Sequence, residues 1–269
     1  VAPAFLTVDL GNSACKLLAW ERLADGAVRP SLRLVLAADD DLPRAAAAGL
    51  GGCADWVGGA MASVVEPDST ARISDALAEL VGGRFLAPPD PGLDVACDHP
   101  ETVGLDRLFA ARGALEVCGA PAVVVDAGTA LTVDALCDDG SGGGVFAGGA
   151  IAPGPALWAT ALAAKGALLP QVEPRPGAPA LGLDTERALV AGCSVGFLGA
   201  ARELVERVSA EAGVGAAPLV LAGGARAFLG GPDGLGRGGR RVVECADLVH
   251  RGLLATGGPQ ATGAAWEPA

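Results

Sequence analysis

The chain has 269 residues, of which 51% are apolar and 19% charged. At about 150 residues per domain that is room for two compact domains or one large one, each able to bury a core without disulfides, and so little charge excludes a disordered chain. Acidic residues exceed basic ones by 31 to 19, a net charge of −12, which excludes a general binder of nucleic acid or of an anionic membrane, because the long-range field repels phosphate.

No run of about 20 uninterrupted apolar residues occurs, so no transmembrane helix is expected. An apolar run begins at Phe5 with no basic region ahead of it. No signal peptide is expected, and the expected location is the cytoplasm. The seven cysteines (Cys15, Cys53, Cys97, Cys118, Cys137, Cys193 and Cys245) are scattered and form no Cys-x-x-Cys. That spacing suits neither a disulfide framework nor a zinc site; buried thiols in a reducing compartment are the plain reading. With only His99 and His250, a Ser-His-Asp triad or a His-rich metal site has little room. Catalysis must run on carboxylates, backbone amides and a few cations.

In chain order, Phe5–Leu10 and Lys16–Trp20 read as a hairpin joined by Gly11-Asn12-Ser13, and Ser31–Ala37 as a third strand. Asp41 and Pro43 open a short Ala-rich helix that stops near Gly49. Trp56–Val65 is a strand. Ser69–Val81 is a helix with Ile73, Ala76, Leu77 and Leu80 on one face. Phe85-Leu86 is a short strand, the Pro-rich stretch from Pro88 to Gly92 a loop, and Thr102–Cys118 a helix. At Gly119-Ala120-Pro121 the pattern restarts: strand Ala122–Asp126, turn Gly128-Thr129, strand Leu131–Leu136, an Asp/Gly turn, strand Val145–Ile151, then a helix to Gly166. Pro170–Gly182 is a loop. Asp184-Thr185 caps a helix to Ala212. Ala217–Ala222 is a strand, Ala225–Leu229 a helical turn, Gly230–Gly239 a flexible loop, Arg241–Glu244 a strand and Asp247–Leu254 a helix, with a frayed tail from Gly257. Both halves open as strand, Gly-turn with Asp, strand, strand. This is a repeat of architecture, and it predicts two similar domains, 1–118 and 119–269.

Three constellations carry chemistry. On the first hairpin, Gly11 is expected to take positive φ and bring amides near a ligand. Asn12 and Ser13 add neutral donors, and Lys16, one of two lysines, suits phosphate. Asp9 is placed to hold a metal directly or through water. Asp126-Ala127-Gly128-Thr129-Ala130 repeats this logic. Either turn alone is ordinary turn chemistry. Two at equivalent places, facing each other, would clamp nucleotide phosphates across an interdomain cleft. Third, Gly104-Leu105-Asp106-Arg107 opens a helix whose N-terminus favours an anion. With Arg107 beside it, Asp106 is expected to stay ionised and to take a proton from an attacking alcohol. The plain alternative is helix-start electrostatics and a surface ion pair. Gly148–Gly154 and Leu221–Gly224 are strand-to-helix turns suited equally to packing or to ligand contact. His99, just ahead of the helix carrying Asp106, reads either as a lining residue of the same cleft or, more plainly, as a partly exposed loop residue.

With these pieces in order, the chain resembles the type III pantothenate kinases, in the superfamily of acetate and sugar kinases, actin and the heat-shock ATPases. The resemblance is carried by Asp9–Lys16, Pro100–Arg107, Asp126–Asp134 and Gly148–Gly154; Leu168-Leu169-Pro170 and Asp184 through Gly192 follow in the family's order. It implies an α/β fold of two ribonuclease-H-like (actin-like ATPase) domains with an interdomain nucleotide cleft, a homodimer, and ATP-dependent phosphorylation of pantothenate, the first step of coenzyme A synthesis. By that resemblance Asp106 is the general base. Gly104, Leu105, Asp106 and Arg107 contact pantothenate, Arg107 on its carboxylate. Asp9, Gly11, Asn12, Ser13, Lys16, Gly128 and Thr129 hold ATP phosphates. Asp126 holds a monovalent cation, K+ or NH4+, and Asp9 lies near Mg2+.

Two positions depart from the family's pattern. Cys97 stands where the family has Tyr. Gly166 stands where the family has a Thr that reaches the partner subunit's pantothenate. Phosphate and base positions are present, while two substrate-side contacts are changed. A lost hydrogen bond of this kind costs about 0.5–1.5 kcal/mol, which weakens binding without removing chemistry. The alternatives are a related kinase with an altered acceptor, or a non-catalytic nucleotide-binding relative.

Overall fold

A computed structural model describes residues 3–38, 41–52, 55–82, 85–86, 89–230, 234–235 and 239–262. The chain divides into two units: residues 1–93, 101–116 and 248–269 form one, and residues 94–100 and 117–247 the other. Relative to a single cut at 118/119, three segments change sides, the shortest being residues 117–118. The helix after residue 247 belongs with the first sheet, and residues 94–100 with the second.

The first unit is built on a five-stranded sheet in the order β3-β2-β1-β4-β5. Its strands are β1 (Pro3–Leu10), β2 (Ala14–Arg22), β3 (Val28–Ala37), β4 (Asp55–Ser63) and β5 (Phe85–Leu86). β1 and β2 form the expected hairpin, in a register that sets Asp9 opposite Lys16, and β4 runs parallel to β1. Alternation along the strands sorts side chains to two faces. Leu6, Val8, Leu10, Cys15 and Leu17 pack with α1 (Leu42–Leu50) and α2 (Pro67–Leu80) through Leu42, Ala46, Ile73 and Leu77. Thr7 and Asp9 lie on the opposite face. Pro100–Thr102 is a 3-10 turn, and the next helix, α3, runs Leu105–Cys118 rather than from Thr102.

The second unit carries a six-stranded sheet in the order β11-β10-β7-β8-β9-β6. These are β6 (Asp94–Val95), β7 (Ala122–Ala127), β8 (Ala130–Asp138), β9 (Gly144–Pro153), β10 (Leu219–Ala222) and β11 (Val242–Glu244). β6, too short to show any alternation, is a strand the sequence reading misses. Helices α4 (Pro155–Lys165) and α5 (Thr185–Glu211) follow β9. Asp184 caps α5, its Oδ1 accepting from the Arg187 amide at 2.8 Å. Phe197, Ala201 and Val205 of α5 pack on Val123, Val125, Leu131 and Val133. By length and composition α5 could cross a membrane; that buried face is instead part of this unit's core.

The last helices are α6 (Leu248–Gly257) and α7 (Pro259–Thr262). The expected frayed tail from Gly257 is thus helical to residue 262, and its remainder lies outside the described residues. So do Cys53 and most of the loop predicted at 230–239.

Candidate active site

In the first unit the hairpin turn closes with the Gly11 amide donating to the Ala14 carbonyl at 3.0 Å. It does so without the positive φ expected of Gly11: no residue from 11 to 13 is in the left-handed region. A three-residue connection has enough length to close in ordinary conformations. Asn12 and Ser13 at its tip are exposed. The Lys16 ammonium donates to Oδ2 of Asp9 at 2.8 Å, pairing a half-exposed cation with a carboxylate that is 9% exposed.

Asp106 sits in the first turn of α3. Its Oδ1 accepts from the Arg107 amide at 2.8 Å, and the Gly104 carbonyl accepts from Arg107 and Leu108. Burial pushes the Asp106 carboxyl above its ordinary value. The Arg107 amide opposes this, the Asp9 carboxylate adds to it, and the charges of Arg107 and Lys16 oppose it more weakly. Arg107 therefore does not set the net direction of the shift: desolvation outweighs the neighbouring cations. Asp9, Lys16 and Asp106 are close enough for each charge to act on the others, so this unit brings together a base candidate, an ion-paired carboxylate and an amide-lined turn. Leu105 and Arg107 are half-buried beside them.

In the second unit Asp126 lies next to the end of β7 and is half-buried, while Thr129 is exposed at the turn. The Gly128 amide donates to the Ala130 carbonyl at 2.8 Å, closing a turn one residue shorter than that at Gly11. Two glycines keep this turn clear. A β-carbon at Gly154 would collide with the Gly128 and Thr129 carbonyl oxygens. One at Gly223, whose φ is +86°, would collide with the Asp126 carboxylate. Gly166 caps α4, its amide donating to Leu162 at 2.8 Å. A β-carbon there would fall 2.5 Å from Leu169 Cδ1, so a side chain at 166 requires Leu169 to move. Cys97 is half-buried beside Gly148, and His99 is exposed. Asp9, Lys16, Gly104 and Asp106 are thus features of one unit, and Asp126, Gly128, Thr129 and Gly166 of the other.

The sequence profile of the type III pantothenate kinases matches residues 5–207. The chain belongs to that family. A type III pantothenate kinase of Moorella thermoacetica is 34% identical over 200 residues, covering 73% of this chain and 72% of the relative. One from Dehalococcoides mccartyi is 35% identical over 182 residues, 62% and 67% of the two chains. One from Streptomyces coelicolor reaches 40% over 120 residues, 45% and 44%. Among solved structures, a Sinorhizobium meliloti protein assigned as a 2-dehydro-3-deoxygalactonokinase aligns with TM-score 0.53 and 17% identity over 96% of this chain and 99% of its own. A ROK family glucokinase from Streptomyces griseus aligns with TM-score 0.51 and 13% identity over 93% and 97%. At such identities the likeness concerns the fold, which is the two-domain α/β fold of the sugar kinases and actin-like ATPases.

Three residues given no role in the sequence analysis stand out. Asp134 is fully buried in β8 beneath Gly149, where a β-carbon would collide with it. Thr7 and His250 are buried and hydrogen-bonded to each other. The available signal was a lone hydroxyl inside the run Phe5–Leu10, since a buried polar group needs a partner.

Proposed function

We propose that this family member transfers the γ-phosphoryl group of ATP to the primary hydroxyl of pantothenate, with Asp106 as general base. The observation that carries the role of Asp106 is its desolvated carboxyl beside the Asp9–Lys16 pair. A carboxylate whose pKa is raised by burial is a stronger base, which suits it to take the hydroxyl proton as the new O–P bond forms and ADP departs. Against the alternative of a non-catalytic relative stands the raised carboxyl of Asp106 beside Asp9 and Lys16, the pattern expected of a base.

Lys16 and the turn-tip amides of residues 12, 13 and 129 are the groups suited to nucleotide phosphates, the Gly11 and Gly128 amides being used to close the turns. Magnesium fits Asp9: this ion takes one or two carboxylates plus substrate phosphates rather than an all-protein cage, and no group of three or more metal-ligating side chains occurs among the described residues. Bound with the nucleotide, it neutralises charge on the phosphoryl oxygens. Asp126, in the space that Gly223 leaves open, fits a monovalent cation. Arg107 would meet the pantothenate carboxylate. Cys97 and Gly166 would leave that substrate held by fewer polar contacts.

A homodimer is supported by apolar side chains left exposed on the second unit: Leu157 and Leu162 of α4, Val195 of α5, and Leu168, Leu181 and Leu183. The reading places the enzyme in the cytoplasm, where ATP is supplied. A coupled assay with ATP tests it, using pantothenate and related hydroxy acids, each with and without K+ or NH4+. Turnover of pantothenate is expected. Turnover of another alcohol in its place would select the altered-acceptor alternative, and turnover of none would overturn the kinase reading.

A further inference from the structure

Along β1 alternate side chains share a face, so Thr7 and Asp9 point to the same side of the sheet. Thr7 is wholly buried and His250 is 4% exposed. Oγ1 of Thr7 accepts from Trp20 Nε1 at 2.8 Å and donates to the Leu18 carbonyl at 3.2 Å. Nδ1 of His250 lies 3.0 Å from the same oxygen. With the hydroxyl proton on Leu18, Nδ1 is the donor that fills the remaining lone pair. The Arg251 guanidinium stands over the Trp20 ring, 5.9 Å from its centroid. Helix α6 is thus held to β1, which carries Asp9 near its end, and to β2.

The same helix lies backbone to backbone on α3. A β-carbon at Gly252 would collide with the Phe109 carbonyl oxygen and fall 3.1 Å from the Gly113 amide nitrogen. One at Gly113 would collide with the Leu248 carbonyl oxygen. Neither obstacle is a side chain that can turn away. Phe109 is less than one helical turn from Asp106, so whatever displaces α3 here displaces the carboxylate.

We infer that α6 is a positioning element for phosphoryl transfer: His250 and Gly252 fix the spacing between Asp9, on the phosphate side, and Asp106, the base. The inference rests on Asp106 having that role. Both residues lie beyond residue 207, where the family match ends.

Three variants test it. Gly252→Ala forces α6 off α3. Thr7→Val removes the hydroxyl at nearly constant shape, and Thr7→Ser keeps it. Each is assayed well below its melting temperature, and the Asp106 carboxyl is titrated by carbon NMR, which needs no turnover. Gly252→Ala and Thr7→Val are expected to lower kcat about tenfold or more with the KM for ATP within about twofold, because small misplacements of a catalytic group cost rate rather than nucleotide affinity. Their Asp106 midpoint moves down as water reaches the carboxyl, and Thr7→Ser restores both readouts. Folded variants with kcat and midpoint unchanged would overturn the inference. If Gly252→Ala does not fold, the Thr7 pair decides alone. If the unaltered chain phosphorylates no pantothenate, the kinase reading fails, and the titration still decides whether α6 sets the surroundings of Asp106.

Discussion

A β-carbon at position 104 would fall 2.5 Å from Oδ1 of Asp106, the oxygen that accepts the Arg107 amide. Gly104 is not in the left-handed region. Gly104→Ala therefore brings no backbone strain and acts by pushing the carboxylate out of its pose. We expect kcat to fall about ten- to a hundredfold with ATP affinity little changed. Steady-state kinetics alongside a calorimetric ATP titration checks this. An unchanged kcat would show that the pose is not required.

Asp106→Asn removes the base and leaves the shape. Turnover should fall about 10²- to 10⁴-fold while ATP still binds. The same variant tests the pKa. Burial raises the carboxyl above its ordinary value, so the folded state favours the protonated form. That stabilisation is fully present below the unfolded value and is lost as pH rises through the folded one. Above the folded value the ionised, buried carboxylate opposes folding. Asp106→Asn should melt higher than the unaltered chain at pH 7 and lose that advantage near pH 3. A lower melting temperature at pH 7 would contradict the desolvation argument.

How much of this was legible in the sequence differs residue by residue. Asp9, Gly11 and Lys16 were readable because strand alternation and a Gly-turn are local signals. The Asp126–Thr129 turn was readable for the same reason. The direction of the Asp106 shift was not. Arg107 is visible as its neighbour, whereas burial depends on what packs over α3. Gly113 and Gly252 look like any helix-weakening glycines until their backbones are seen to meet. For that reason α6 was assigned to the half it follows in the chain rather than to the sheet it covers. Gly11 was given a left-handed conformation because glycine permits one, yet the turn is long enough to close without it.

Leu168, Leu181 and Leu183 are 93%, 78% and 79% exposed, and burying such side chains between two copies is what would favour a dimer. Sedimentation velocity should find a dimer at micromolar concentration. Leu181→Glu with Leu183→Glu should yield a folded monomer with the same far-ultraviolet circular dichroism. A monomeric unaltered chain would remove the dimer from the proposal.

Cys15 is fully buried beside Lys16. Burial, with the Asp9 carboxylate, pushes its thiol up to about 12, and Lys16 offsets this only in part. The thiolate is the reactive form. Iodoacetamide at pH 8 should therefore leave Cys15 unlabelled in the native protein and label it after urea. Mass spectrometry of the peptide containing residue 15 reads the result. Native labelling would mean that the hairpin opens.

The Asp9–Lys16 pair should tune Asp106 in opposite directions. Lys16 lowers the Asp106 pKa and Asp9 raises it. Removing the ammonium in Lys16→Met leaves the proton harder to release. The acid limb of kcat/KM, which reports the base of the free enzyme, should then move to higher pH. Asp9→Asn removes the like charge, and the Asp106 titration should move to lower pH. Because Asp9 also faces the metal in our reading, that variant loses turnover and its shift is followed by NMR rather than by rate. Shifts of the same sign in the two variants would mean that a rearrangement of the hairpin, and not charge, governs Asp106. Opposite shifts that shrink in high salt would confirm a Coulombic origin, since added ions screen the exposed Lys16 more than the buried Asp9.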